Sequence, residues 1–238
     1  MSYYGYPKYV TVAEKKAKAA KSLAKLKKKN PDLEPVIIEG RSIAKNWWGK
    51  AWNVNLEGYA DYSNRIGRGK SYVRNNAVLN LKILKGNVSA IVQGTRAKPY
   101  DVEILIDTLG DDKWHEILKL CDRRIDTLEQ LVEGKFPKEL AIIFEDKKYA
   151  MFPSPDEIHF DCSCPDWASM CKHVAAVLYG IGARLDQDPL LFFELRDIDG
   201  RDLIRKTMDQ KVESMLKNAG KKSKREIDEE DISKLFDL

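Results

Sequence analysis

Three of the chain's four cysteines and one of its three histidines fall within twelve residues, in the stretch CSCPDWASMCKH. Cys162, Cys164, Cys171 and His173 give the spacing C-x-C-x6-C-x-H. Three thiolates and one imidazole complete a tetrahedral shell, and sulfur with nitrogen donors favours zinc (Zn2+) over magnesium or calcium. Because a filled shell leaves no position for a substrate, the predicted metal is structural and not catalytic.

The residues around this cluster agree with a folded metal loop. Pro165 and Asp166 favour a turn between the two ligand pairs. The run CKHVAAVLYG predicts a buried helix that begins near Cys171, where the helix dipole favours a thiolate. Two alternatives stay open: the cysteines are small buried core residues, or a Cys–His pair acts as a nucleophile. No second catalytic group is marked, so we predict that the chain is not an enzyme.

The other cysteine and histidines are not predicted ligands. Cys121 lies on the apolar face of a predicted helix and is expected in the core. His115 and His159 are expected to be surface or core residues, with His159 a candidate neighbour of the ligands.

The segment FDCSCPDWASMCKHVAAVLYGIGARLDQDP resembles the SWIM zinc finger family, whose signature is C-x-C-x(n)-C-x-H. The resemblance is strongest over residues 155–195, and IAKNWWGKAWNVNLEGYADYSNRIGRGKSYVRN is similar to the N-terminal region of stand-alone bacterial and archaeal SWIM proteins. It implies a short β-hairpin carrying Cys162 and Cys164, then a helix from near Cys171. It also implies binding to DNA or protein, alongside Swi/Snf-type helicase-like ATPases, Mutator-type transposases or recombination accessory proteins.

The chain has no Walker motif, so the resemblance implies a partner of a separately encoded helicase-like ATPase and not the ATPase itself. The alternative is a protein adaptor without direct nucleic-acid contact. In that version the acidic end, residues 226–238, docks on a basic surface through Ile227, Ile232, Leu235 and Phe236.

Composition narrows the classes of protein that the chain can be. Of its 238 residues 43% are hydrophobic and 33% are charged, which is typical of a globular protein. No apolar run approaches the roughly 20 residues of a membrane span. The N-terminus lacks the apolar centre of a signal peptide. We therefore predict a cytoplasmic protein with reduced thiols and no membrane contact.

Positive charge is concentrated at the N-terminus. Residues 1–30 contain nine Lys and one Glu, a charge of +8, so the rest of the chain carries −4 of the net +4. Such segregation favours a polyanionic partner, with DNA the preferred nucleic acid. The candidate contacts are Lys15, Lys16, Lys18, Lys21 and Lys25 of this segment, Arg65, Arg68, Lys70 and Arg74 of NRIGRGKSYVRNN, and Lys172.

Three features of these basic and aromatic stretches bear on contact with nucleic acid. Thr11 and Glu14 form a capping box for a lysine-rich helix that Pro31 ends, and this helix is either a nucleic-acid contact or merely solvated. Gly67 and Gly69 are predicted to bring the backbone close to a phosphate. Trp47, Trp48 and Trp52, between Lys45 and Lys50, either stack bases or anchor the core.

The elements predict an α+β fold: an antiparallel sheet with packed helices in the N-terminal part, plus a small ββα zinc finger. AVLNLKIL, VSAIVQGT and YDVEILI form a predicted meander, with Val102, Ile104 and Ile106 on one face. A helix follows from Asp111, another lies at about 127–133, and ELAIIF is either strand or helix. The predicted parts are 1–35 (basic helix), 36–150 (α+β domain), 151–200 (zinc finger) and 201–238 (polar tail).

Overall fold

The computed structural model describes residues 10–58, 63–121, 128–135, 138–146, 151–168 and 170–202, together with 205, 209, 212, 213, 215 and 216. The fold is α+β, as predicted. The helices are α1 (Val12–Lys27), α2 (Trp47–Glu57), α3 (Ser63–Arg74), α4 (Asp111–Leu120), α5 (Leu128–Glu133), α6 (Lys138–Glu145), α7 (Lys172–Gln187) and α8 (Leu191–Leu195). The strands are β1 (Val78–Leu84), β2 (Asn87–Val92), β3 (Tyr100–Ile106) and β4 (Ile158–Cys162).

The four strands form one antiparallel sheet in the order β1-β2-β3-β4. The predicted meander is confirmed: β1 pairs with β2, and β2 pairs with β3 with Ala90 opposite Val102. Val102, Ile104 and Ile106 are buried while the residues between them are exposed. This alternation gives the sheet one face toward the core and one toward solvent.

Strand β4 joins the meander after a long connection that contains α4, α5 and α6. It pairs with β3, with Cys162 opposite Val102 and Ile158 opposite Ile106. Cys162 therefore lies at the end of the sheet where β3 begins. The connection between β2 and β3, residues 93–99, lies at this same end.

Helix α7 occupies the centre of the core. Its side chains are buried on all sides, from His173 to Leu185 with the exception of Arg184. It contacts α2, α3 and α8 as well as all four strands. The predicted buried helix is therefore confirmed, and it begins one residue after Cys171.

Tryptophans of α2 belong to the core. Trp48 is 0% exposed and Trp52 is 2% exposed. Their indole N–H groups donate to the carbonyl oxygens of Leu131 (2.7 Å) and Leu178 (2.8 Å). Trp47 is half-buried and packs on Phe144. Of the two roles predicted for these tryptophans, base stacking and core anchoring, the structure shows the core role.

The stretch NRIGRGKSYVRNN differs from its prediction. It forms most of α3, because Ile66 and Val73 face the core at helical spacing. Gly69 is buried against Ala175 of α7, so its backbone lies between two helices and is not open to a phosphate. The predicted phosphate approach at Gly69 is therefore wrong. The segment ELAIIF is helical within α6, with Leu140 and Phe144 buried one turn apart.

The predicted zinc finger, residues 151–200, also differs from its prediction in one respect. Its expected hairpin is not seen in 158–168 and 170–173: β4 takes β3 as its partner, and no strand is described between β4 and α7. The Ser163 N–H donates to the Asp101 carbonyl (3.0 Å), and the Asp101 N–H donates to Ser163 Oγ (2.9 Å). These bonds hold the chain after Cys162 onto β3.

Other predictions concern the ends of the chain. Helix α1 begins after Thr11 with the predicted capping box to Glu14. The acidic end, 226–238, lies outside the described residues. The division into parts at 35, 150 and 200 stays a prediction.

No described helix combines the length and the apolar character needed to cross a bilayer.

Candidate metal centre and the basic surface around it

The four predicted ligand residues lie together. One donor atom from each of Cys162, Cys164, Cys171 and His173 lies within 4.8 Å of the others. His173 Nδ1 is 3.7 Å from Cys171 Sγ and 4.0 Å from Cys162 Sγ. Neighbouring donors of a tetrahedral zinc shell are about 3.5–3.8 Å apart, given Zn–S and Zn–N bonds of about 2.3 and 2.0 Å. The donor set and its spacing fit a single metal ion.

Two elements hold this cluster from opposite sides. Cys162 is the last residue of β4, and the Ser163–Asp101 hydrogen bonds fix its position on the sheet. Cys171 is the N-cap of α7, where its Sγ accepts the Val174 N–H at 3.5 Å. Cys164 lies on the short loop between them. A metal ion here would join the end of the sheet to the start of the central helix.

His173 is held by packing. Its ring lies between Tyr72 and Tyr100, with centroid distances of 5.4 and 4.5 Å, and it is 1% exposed. Gly94 leaves room for the ring, because a Cβ there would lie 2.9 Å from His173 Nε2. Nε2 is buried with no hydrogen-bond partner among the described residues, whereas Nδ1 faces the sulfur atoms. The geometry therefore makes Nδ1 the candidate ligand atom.

Hydrogen bonding between Cys162 and Cys171 shifts the pKa values of these two thiols in opposite directions. Bonds from the Cys162 thiol, then from His173 and the Val174 N–H, lower the pKa of Cys171 to about 3 against the opposing effect of burial. The hydrogen bond to Cys171 and burial raise the pKa of Cys162. Burial is the main cause that raises the pKa of Cys164. Metal binding needs deprotonated thiols, and the raised pKa of Cys162 and Cys164 opposes their ionisation, so metal binding is expected to release protons and to weaken as pH falls.

Cys121, His115 and His159 stand apart from this cluster. Cys121 is 2% exposed in the core, as predicted. His159 is exposed on β4, and its Nε2 lies 3.2 Å from Asp107 Oδ1. His115 is exposed on α4, with Nδ1 2.6 Å from the Asp111 carbonyl oxygen. His159 is a surface residue and does not touch the ligands.

The predicted cations of α3 fall into two groups. Arg65 binds both carboxylate oxygens of Asp166, at 2.7 and 3.1 Å, and Lys70 lies 2.7 Å from Glu57. These two side chains are paired with carboxylates of the metal loop and of α2. Arg68 and Arg74 are exposed. Arg68 lies on the same face of α3 as Arg65 and Tyr72, and so on the side of the helix that faces the metal cluster.

Helix α1 is attached close to the same place. Lys18 Nζ donates to the Thr95 carbonyl oxygen (2.6 Å), and Ala19 is buried. Thr95 follows Gly94, which touches His173. The other predicted cations of α1 are exposed to solvent: Lys15, Lys16, Lys21 and Lys25.

Two further cations were not predicted. Arg96 and Lys98 are exposed on the loop between β2 and β3. The sequence TRAKP shows a basic loop, but only the pairing of β4 with β3 brings this loop beside Cys162, and the packing of α7 on the sheet brings it beside His173. We refer to Lys18, Arg68, Arg96, Lys98 and Lys172 as the basic surface. The exposed carboxylates Asp101 and Asp161 lie on the opposite, solvent-facing side of the sheet from Cys162.

Comparisons with known proteins find a relative of this chain. No protein-family model matches the chain, and no solved structure matches it. The chain is 34% identical over 183 residues to the uncharacterized protein Rv2102 of Mycobacterium tuberculosis. The match covers 73% of this chain and 66% of that protein, just under two thirds of its length.

Proposed function

We propose that the chain is a zinc-binding module of the SWIM type that binds nucleic acid, with DNA preferred, as an accessory partner of a helicase-like ATPase. One observation carries this proposal: four buried or half-buried metal donors lie at the end of the sheet where the basic surface gathers. The ATPase partnership rests on the resemblance of the CSCPDWASMCKH segment to SWIM proteins.

Zinc would supply a structural cross-link between β4 and α7. Cys162 and Cys164 would hold the sheet side and Cys171 with His173 Nδ1 the helix side, which leaves no open position for catalysis. The chain's own residues then perform the binding. Arg68 and Lys172 flank the metal loop, while Lys18 holds α1 beside Arg96 and Lys98. Cations gathered on one surface neutralise backbone phosphates.

Metal content tests the first half of the proposal. Native mass spectrometry is expected to find one zinc in the parent protein and weakened or lost zinc in His173→Ala. His159→Ala and Cys121→Ala are matched controls that should keep the ion, because neither residue touches the cluster. In ¹⁵N-resolved NMR, His173 should show metal at Nδ1 and a proton at Nε2. Freshly reduced parent protein without metal would overturn the proposal.

Salt-dependent binding tests the second half. The logarithm of the affinity for nucleic acid should fall linearly with the logarithm of salt concentration. Arg68→Ala should weaken binding to all sequences and lower the salt slope by about 0.7–0.9. Lys85→Ala is the control, because Lys85 lies in the turn between β1 and β2, at the opposite end of these strands. No binding to duplex or single strands at low salt would overturn the nucleic-acid half and favour the adaptor alternative.

A further inference from the structure

We propose that Trp167 is a stacking platform for an unpaired base, so that the ligand of the basic surface is single-stranded nucleic acid. This inference rests on the proposed function and specifies its ligand. The side chain of Trp167 is 100% exposed. The other four tryptophans of the chain are buried or half-buried. The whole indole ring of Trp167 is therefore available to a ligand.

Hydrogen bonds hold the residues on either side of this ring. Asp166 is held by the two hydrogen bonds from Arg65, and its Oδ1 also accepts the Ala168 N–H at 3.4 Å. The loop that carries Trp167 is bounded by the ligand residues Cys164 and Cys171. A ring on an anchored loop loses less entropy on binding than one on a free chain.

The surroundings of Trp167 favour a nucleic acid over a protein. No other large apolar side chain is exposed among the described residues of 151–202. An aromatic anchor of a protein interface normally lies within an apolar, desolvated patch. Here the nearby candidates for contact are cations: Lys172 after Cys171, and Arg68 one turn beyond Arg65 on α3. Aromatic rings beside phosphate-binding cations are the pattern of single-strand binding.

The free energy needed to expose the face of a base favours single-stranded over double-stranded nucleic acid as the ligand. In a duplex both faces of each base are already stacked, and exposing one costs a few kcal/mol. An unpaired base offers its face without that cost. Because stacking does not read base identity, we expect little sequence preference. The same chemistry serves DNA and RNA, which the experiment separates.

The test is fluorescence anisotropy with four labelled probes: a dT oligomer, an rU oligomer, a DNA duplex and an RNA duplex of equal length. The parent should bind one or both single strands more tightly than either duplex. Trp167→Ala should weaken single-strand binding by about 5- to 100-fold and leave duplex binding nearly unchanged. Trp167→Phe should restore most of the loss, because it keeps an aromatic face. Zinc content should be equal in all three proteins.

Three results would overturn either the stacking inference or the proposed nucleic-acid function. If the parent binds duplexes as well as single strands and Trp167→Ala changes neither, the stacking inference is overturned while the proposed function stands. If the parent binds none of the four probes at low salt, the nucleic-acid function itself is overturned. If Trp167→Phe binds as poorly as Trp167→Ala at full zinc content, the ring does not act by stacking, and the inference fails.

Discussion

Gly69 of α3 lies directly against Ala175 of α7. A Cβ atom on Gly69 would lie 2.6 Å from the Ala175 Cβ and 2.7 Å from the Ala175 carbonyl carbon. The crossing of these two helices sets the distance between the α3 side chains Arg65 and Tyr72 and the metal loop. Gly69, which lies more than 90 positions before the nearest candidate ligand in the sequence, therefore positions one wall of the candidate metal centre.

Replacing Gly69 with Ala should separate the two helices, because the backbone of α7 cannot move aside as a flexible side chain would. We expect a loss of about 1–3 kcal/mol in the free energy of unfolding. The variant should also release its metal to a chelator faster, since Tyr72 moves away from His173. Urea unfolding and chelator competition measure the two effects.

Gly67→Ala is the matched control for that substitution. Gly67 is exposed on the same helix, and a Cβ there meets nothing within 4 Å. Alanine should therefore stabilise the protein by about 0.5–1 kcal/mol through its helix propensity. Equal effects of the two substitutions would contradict the importance of the α3–α7 contact.

Cys164→Ser tests whether the metal loop and the meander unfold together. Strand β4 belongs to the same sheet as β1, β2 and β3, and α7 packs on all four strands. We therefore expect weaker metal binding and a lower Tm, but a single transition. Far-UV circular dichroism and tryptophan fluorescence should give coincident curves. Two separate transitions would instead support independent folding of 36–150 and 151–200.

The pair formed by Glu157 and Arg196 predicts a response to acid. Arg196 is 0% exposed, and its Nη2 lies 3.0 Å from Glu157 Oε1. Burial acts to raise the pKa of Glu157, but hydrogen bonds from the Ser154 N–H and from Arg196 outweigh it and hold that pKa below its ordinary value. The stabilisation by this carboxylate is therefore present above its unfolded pKa of about 4.3 and lost as pH falls through the lower, folded pKa.

Glu157→Gln should cost about 1–3 kcal/mol at pH 7, because the buried Arg196 loses a charged hydrogen-bond partner. The difference in the free energy of unfolding between parent and variant should shrink between pH 5 and pH 3. Urea unfolding at a series of pH values measures it. Glu139→Gln, an exposed change on α6, is the control and should be nearly neutral. A difference that does not change with pH would contradict the role of the ion pair.

Local patterns in the sequence predicted much of this molecule. The cysteines and histidine of the cluster lie within twelve residues, and a helix begins directly after Cys171. The chain that joins the four side chains is therefore too short to place them far from one another. The capping box at Thr11 and the alternation of Val102, Ile104 and Ile106 were equally local signals, and both elements formed as predicted. The metal and the nucleic acid remain predictions that the experiments above test.

Contacts between distant parts of the chain required the tertiary structure. The glycines and cations of NRIGRGKSYVRNN predicted a backbone open to phosphate, but burial of Ile66 and Val73 places this stretch in helix α3, with Gly69 against α7. The pairing of β4 with β3, more than 50 residues apart, and the packing of α7 on the sheet brought the loop that carries Arg96 and Lys98 beside Cys162 and His173. Spacing along the sequence determines which residues share a turn or a face, whereas packing of apolar surfaces decides which faces meet. The sequence by itself therefore determined the candidate ligands, and only the fold decided which cations surround them.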